Sequence, residues 1–154
     1  HGPFYDSSLT NIYCGRNIVQ VDDEGNPSPA DNEVEGVFTN CGYTNGGLIV
    51  KLDIGPKVTT ISDYMFSLVR VQYVYFYPAI TSIGKYAFNG CSVFEGLSCH
   101  HTTPPTLGAS AFEGCDRMWY IRVPKDSMSA FKSAPGWKDY DRLNPSGKNF
   151  YLEQ

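Results

Sequence analysis

The sequence predicts a mainly β solenoid: a right-handed stack of coils with about five parallel strands and a C-terminal cap that contains a short helix. Two repeated patterns predict it. A strand pattern, apolar-x-x-apolar-x-apolar, occurs five times, and a short phrase that ends in cysteine recurs between its copies. The copies of the strand pattern are Leu9-Ile12-Cys14, Ile49-Leu52-Ile54, Val71-Val74-Phe76, Phe94-Leu97-Cys99 and Met118-Ile121-Val123.

The spacing of the strand pattern identifies the class of solenoid. Successive copies begin 40, 22, 23 and 24 residues apart. The last three intervals fall in the range of roughly 20–29 residues that is typical of leucine-rich repeats, and the pattern itself is the strand signature of that repeat. One coil cannot cover its own apolar face, so neighbouring coils must stack and share a single core. The fold class predicted is therefore a leucine-rich-repeat solenoid.

The second pattern marks the corner of each coil. The phrase Ala-Phe-x-Gly-Cys occurs at residues 87–91 and 111–115, and residues 37–41 are a looser copy. A phenylalanine follows five residues after each of three apolar positions, Ile61, Ile83 and Leu107. We therefore expect Phe66, Phe88 and Phe112 to close the side of each coil opposite the strands. The five cysteines fit as buried free thiols at the corners and strands, since cysteine packs as a small apolar residue.

The first interval contains an insertion. Residues 17–35 carry six acidic side chains, no lysine or arginine, and several turn-forming residues, so we expect a surface loop or a hairpin there. The acids lack the alternating spacing of a calcium-binding loop, which makes a solvated acidic loop the favoured interpretation.

The repeat ends at Val123, and a cap is expected over 124–144. Asp126 is predicted to be the N-cap of a short helix in which Met128 and Phe131 share one face. Pro135 and Gly136 should end it, leaving Trp137 and Tyr140 to cover the open end of the core. The sequence thus predicts one leucine-rich-repeat domain over 1–144 and a polar tail over 145–154.

Several classes of function are disfavoured. The net charge of −4 argues against a nucleic-acid partner, and no apolar stretch approaches the roughly 20 residues of a membrane span. Because the chain begins at His1 rather than at a methionine, it is expected to be a processed or trimmed product. His100 and His101 are adjacent and should point to opposite faces of a strand, which disfavours a metal site. We expect no catalytic residues, no metal and no cofactor.

The outward positions of the strands predict a binding face. Three tyrosines at alternate positions should project together from the central strand, and further aromatic and basic residues should flank them. Tyrosine and arginine are enriched in binding hot spots. The alternative is structural, because β-propensity alone favours tyrosine on strands. The candidate ligand-binding residues, here called the aromatic platform, are Tyr13, Tyr73, Tyr75, Tyr77, His100, Tyr120 and Arg122.

Two segments resemble the BspA-like leucine-rich repeats of bacterial cell-surface proteins. They are ITSIGKYAFNGC at 80–91 and CDRMWYIRVP at 115–124, and the ending SAPGWKDY at 133–140 is also similar. The resemblance implies a secreted or outer-surface location, no catalytic residues, and adhesion to host or bacterial surface proteins. The outward tyrosines place the expected contact on the sheet face. Two alternatives stay open, a glycan-binding domain of a carbohydrate-uptake system and an architectural spacer in a longer protein.

Overall fold

The computed structural model describes residues 9–18, 38, 41, 47–143 and 150–152. Within them the chain forms a parallel β-solenoid, as predicted. In chain order the strands are β1 Asn11–Cys14, β2 Ile49–Ile54, β3 Thr60–Ile61, β4 Val71–Phe76, β5 Ser82–Ile83, β6 Gly96–Cys99, β7 Thr106–Leu107, β8 Tyr120–Val123 and β9 Phe150–Leu152. The five predicted strands are β1, β2, β4, β6 and β8. They are hydrogen-bonded in that order, and every pairing between them is parallel.

A second, smaller sheet closes the coils on another side. It consists of β3, β5 and β7, paired in parallel, with hydroxyl groups that reinforce the backbone ladder. The Thr81 hydroxyl donates to the Thr59 carbonyl at 3.1 Å, and the Thr106 hydroxyl donates to the Thr81 carbonyl at 3.3 Å. The repeated Thr and Ser residues therefore tie each coil to its neighbour through side chains as well as through the backbone.

The side chain of Asn17 forms hydrogen bonds to the open edge of this second sheet, at β3. Its Oδ1 accepts hydrogen bonds from the N–H groups of Thr59 at 2.7 Å and Thr60 at 3.2 Å. Ile18 packs against the core. The expected insertion over 17–35 consequently begins after Ile18, because its first two residues belong to the coil. Its remaining residues, with all six acids, lie outside the described part of the chain.

A ladder of phenylalanine rings fills the solenoid, which confirms the predicted role of Phe66, Phe88 and Phe112. Phe38 stacks on Phe66 with ring centroids 5.1 Å apart, Phe66 on Phe88 at 5.2 Å, and Phe88 on Phe112 at 5.4 Å. All four are buried, and the inward residues of the strands surround them. Each coil thus adds one ring to a continuous stack.

Each corner of the solenoid places residues in the left-handed region of backbone conformation. The residue two positions before the ladder phenylalanine has φ between 53° and 54° in three coils, at Tyr64, Tyr86 and Ser110. The residue two positions after it is Gly90 with φ 68° or Gly114 with φ 72°. In the earlier coil this site holds Leu68, with φ 56°, where glycine would avoid the steric cost.

All five cysteines are buried, and none of them forms a disulfide bond in this structure. The Cys91 thiol donates to the Phe66 carbonyl at 3.1 Å, and the Cys115 thiol donates to the Phe88 carbonyl at 3.2 Å. Burial raises the pKa of Cys14 to about 11 and raises that of Cys115 as well. Cys14 and Cys115 therefore resist forming the thiolates that react with oxidants and metals.

The C-terminal cap contains more helix than the sequence predicts. A 3-10 turn at Lys125–Ser127 leads into α1, Met128–Ser133, and then a second helix, α2, spans Trp137–Leu143. As predicted, Trp137 covers the end of the core: it is buried, and its ring lies 6.0 Å from that of Phe112. Its indole N–H donates to the Pro105 carbonyl at 2.7 Å.

Two expectations about the C-terminal segment were wrong. Asp126 is not an N-cap, because a 3-10 turn begins at Lys125 and places Asp126 inside the first turn rather than before it. Residues 145–154 were assigned to a tail outside the repeat domain, but β9 pairs in parallel with β8, with Tyr151 opposite Arg122. A solenoid end is an unpaired strand edge, and Phe150–Leu152 satisfies the hydrogen-bonding groups of that edge. Among the described residues there is no helix with the length and apolar character of a membrane span.

Candidate functional site

Parallel pairing aligns the outward residues of the large sheet in columns. One column is Asn11, Lys51, Tyr73, Gly96 and Tyr120, and the next is Tyr13, Asp53, Tyr75, Ser98 and Arg122. These are the columns that the repeat pattern predicts. Neighbouring members lie about 4.8 Å apart, so the side chains of adjacent strands are in contact range.

The centre of the aromatic platform is built over a strand with small outward residues. On β6 these are Gly96 and Ser98, and Ser98 is only 4% exposed. The Tyr120 ring lies directly on Gly96, in the space that a Cβ atom there would occupy. Burial raises the pKa of Tyr120. Glycine at this position therefore lets a large ring lie flat against the sheet.

Tyr73 is fixed by a small hydrogen-bond network. Its hydroxyl donates to Glu95 Oε2 at 3.0 Å, and the side-chain amide of Gln72 donates to the same oxygen at 3.1 Å. The hydrogen bond to Glu95 raises the pKa of Tyr73, because ionisation would remove the proton that makes this bond. The phenol is therefore held in one orientation as a neutral donor.

Charged side chains lie over two other rings of the aromatic platform. The Lys51 Nζ lies 4.9 Å from the centre of the Tyr75 ring and 2.8 Å from Asp53 Oδ2. The hydrogen bond to Asp53 raises the pKa of Lys51. The Arg122 Cζ lies 5.3 Å from the centre of the Tyr120 ring, a separation typical of cation–π contacts.

The remaining members of the aromatic platform lie nearer its margins. Tyr77, which is 39% exposed, and His100 follow β4 and β6, and their ring centroids are 6.3 Å apart. Tyr13 is 64% exposed and lies on β1, so β2 separates it from the central rings. Its ring covers the backbone at Gly55. The structure therefore brings six members together around β4, β6 and β8, while Tyr13 stands apart.

The sequence analysis missed a further column on the same face. Backbone hydrogen bonds place Val50, Gln72, Glu95 and Trp119 side by side, one position before the Lys51–Tyr120 column. Trp119 is 54% exposed and is one of the large exposed apolar side chains of the described residues. The pattern apolar-x-x-apolar could have indicated this column, because both residues between the two apolar positions face outward. The prediction included only the second of them.

The adjacent histidines point to opposite sides, as predicted. His100 is exposed, whereas His101 is only 2% exposed, and burial lowers its pKa despite the nearby Ile80 carbonyl. Among residues 47–143 and the other described positions, no three His, Cys, Asp or Glu side chains group as metal ligands would. The outward face of the large sheet instead presents a large aromatic contact area with polar tips, and such an area suits binding.

The chain matches a family model described as a BspA type leucine rich repeat region. The match comprises six copies over residues 35–134, which is more than half of the chain. It includes every strand of the large sheet from β2 to β8. A search of curated proteins found no match.

Proposed function

Because the chain belongs to the BspA-type leucine-rich-repeat family, we propose that it is an adhesion module that binds a host or bacterial surface protein through the aromatic platform. Domains built from these repeats are in general protein-interaction scaffolds and typically non-catalytic, and the family is generally associated with bacterial surface or secreted proteins. Adhesion, the surface location of this chain and the binding residues are the proposal.

The observation that carries the proposal is the alignment of Tyr73, Tyr75, Tyr120 and Arg122 in two adjacent columns of one sheet. Side chains from two strands, β4 and β8, are thereby concentrated in one patch over the small residues of β6. Tyrosine and arginine are the residue types that dominate binding energy at protein interfaces, because each offers a large area with a polar tip. A patch of this kind gives a partner several anchors at once.

Preorganisation supports the same conclusion. The Tyr73 hydroxyl is held by Glu95, the Tyr120 ring rests on Gly96, and Lys51 lies over the Tyr75 ring. Side chains that are already ordered lose less conformational entropy when a partner binds. The same contacts also stabilise the sheet, so a mutational test must separate binding from folding.

A glycan ligand is the second candidate function. Trp119 and Tyr77 are exposed rings on this face, and Gln72 and Glu95 lie in the same column as Trp119. Rings beside hydrogen-bonding groups suit sugars as well as proteins. A third possibility, an architectural spacer, predicts no saturable binding of any ligand by the isolated chain.

The test is a parallel binding screen of the chain against extracellular-matrix proteins, bacterial surface proteins and a glycan array. Specific saturable binding to a protein supports the proposal, whereas binding only to sugars favours the glycan-binding alternative. With a ligand found, Tyr75→Ala and Tyr120→Ala should each weaken binding by about 1–3 kcal/mol.

A matched control is Tyr86→Ala, since Tyr86 is also a half-buried tyrosine but stacks on Tyr64 at a corner, with centroids 5.1 Å apart. It should leave the affinity unchanged. Circular dichroism and melting temperature must show that all three variants fold. Wild-type affinity in both Tyr75→Ala and Tyr120→Ala would make the aromatic platform structural and would direct attention to the acidic segment after Ile18.

A further inference from the structure

Glu95 is a half-buried carboxylate with no ionic partner among the described residues. The salt bridges there join Lys51 to Asp53 and Lys85 to Asp63. Glu95 instead accepts its hydrogen bonds from two neutral donors, Tyr73 and Gln72, on the same oxygen, Oε2. Neutral donors orient a carboxylate but leave its negative charge in place, and such a charge at a partly desolvated site favours a cation nearby.

Trp119 lies beside this carboxylate on the next strand. The Trp119 backbone N–H donates to the Glu95 carbonyl at 2.8 Å, so the two residues are direct neighbours across the sheet. The Glu95 side chain leans toward β4, on the side away from Trp119. The exposed indole and the carboxylate therefore belong to neighbouring positions on adjacent strands of one face.

We propose that Glu95 and Trp119, with the Tyr73 ring, form a subsite for a cationic side chain of the protein partner, best filled by an arginine. The guanidinium would pair with the Glu95 carboxylate and stack on the indole. Tryptophan gives the strongest cation–π contacts of the aromatic residues, and a carboxylate accepts two hydrogen bonds from arginine in a matching geometry. This subsite rests on the proposed function, since it assumes a protein partner.

Charge distinguishes an arginine from the other occupants of an aromatic subsite. The Glu95 charge repels phosphate, carboxylate and acidic sugars, and a neutral sugar would leave that charge uncompensated. Two basic side chains in the described outward columns are already engaged, since Lys51 pairs with Asp53 and Arg122 lies over Tyr120. In the proposed complex the ligand supplies the cation that pairs with Glu95.

The chain offers an internal control for testing this subsite. It has two tryptophans, and only Trp119 is exposed, because Trp137 is buried with its indole N–H bonded to Pro105. Two-dimensional 1H–15N NMR of the full chain, titrated with N-acetyl-arginine amide, should shift the Trp119 indole signal in a saturable way. The Trp137 signal should stay in place, and the neutral isostere N-acetyl-citrulline amide should cause no saturable shift.

Glu95→Gln keeps the shape and the hydrogen-bond acceptor for Tyr73 but removes the charge, and it should weaken the arginine titration by about fivefold or more. Glu113→Gln, at an exposed corner, should leave the titration unchanged. Equal titration in Glu95→Gln, an equal response to the citrulline probe, or no Trp119 shift overturns the proposal. A saturable Trp119 shift with methyl glucoside but not with the arginine probe also overturns it, in favour of a sugar.

The titration needs no partner protein, so its outcome is separate from that of the binding screen. If no protein ligand is found but the arginine probe binds as expected, Glu95 and Trp119 bind a guanidinium group although the adhesion proposal falls. If Tyr75→Ala and Tyr120→Ala weaken a protein partner while the probe fails, the adhesion proposal stands and the arginine subsite falls.

Discussion

Truncating Phe88 to alanine tests the claim that the phenylalanine ladder holds the coils together. Phe88 is fully buried at the middle of the ladder. Its ring stacks on Phe66 at 5.2 Å and on Phe112 at 5.4 Å, and it also contacts Phe76 and Phe94, both at 5.9 Å. Removing the ring therefore affects the packing of the coils on both sides.

The magnitude follows from two contributions. Removing a buried phenylalanine side chain costs about 3–5 kcal/mol through lost burial and the cavity that remains. Each aromatic pair adds about 0.5–1.5 kcal/mol beyond burial. Because Phe88 makes four ring contacts, we expect Phe88→Ala to cost near the upper end of the range for a buried phenylalanine, about 5 kcal/mol. Phe88→Leu keeps most of the volume and loses only the ring contacts, so we expect a smaller cost of about 1–2 kcal/mol.

Urea denaturation followed by circular dichroism and by tryptophan fluorescence measures both changes. Trp137 lies 6.0 Å from Phe112 and so reports on the capped end of the ladder. The control is Tyr77→Ala, at a ring that is 39% exposed and lies outside the core, which should cost less than about 1 kcal/mol. A loss below about 1.5 kcal/mol in Phe88→Ala, with an unchanged dependence on urea, would refute a central role of the ladder.

Three further predictions concern backbone strain, thiols and pH. Gly90→Ala should lower the free energy of unfolding by about 1–3 kcal/mol, because φ is 68° and the new methyl group would meet the Leu68 side chain. In a double-mutant cycle, Leu68→Ala should recover part of this loss. Thiol titration in denaturant without reductant should return five thiols, and a count of three would indicate a disulfide. In the native state Cys14, whose pKa burial raises to about 11, should react slowly at pH 8. Burial lowers the pKa of His101 below the ordinary value of 6.5. Its contribution to the free energy of unfolding is therefore complete above pH 6.5 and is lost as the pH falls through the folded-state pKa. Urea midpoints between pH 7.5 and 5 should therefore decline, and His101→Leu should decline less; equal slopes would contradict this assignment.

The parallel sheet was predictable because its pattern repeats at a constant spacing. Five apolar-x-x-apolar-x-apolar copies specify which residues face the core, and stacking then aligns equivalent residues, which is why the Tyr75–Arg122 column follows from the sequence. The second sheet was harder to predict. Its strands, such as Thr60–Ile61, are two residues long, which is too short to show an alternation of apolar and polar residues.

The missed parts depend on contacts that no local pattern reports. β9 exists because the edge of β8 is open, and nothing within Phe150–Leu152 indicates that partner. Trp119 and Tyr120 both lie outward between the apolar positions of their coil, whereas strict alternation would give only one outward residue there. The network of Tyr73, Gln72 and Glu95 joins two strands 22 or 23 positions apart, so it required coordinates.

The cap makes the length of this solenoid adjustable in whole coils. Trp137 packs on Phe112 and bonds to the Pro105 carbonyl, and Phe112 has an equivalent one coil earlier in Phe88, which stacks with it almost face to face. A coil duplicated between them would present the cap with the same surface. Each added coil would also insert one more position into every outward column. A binding face of this design can therefore be widened by tandem duplication without redesigning either end of the protein.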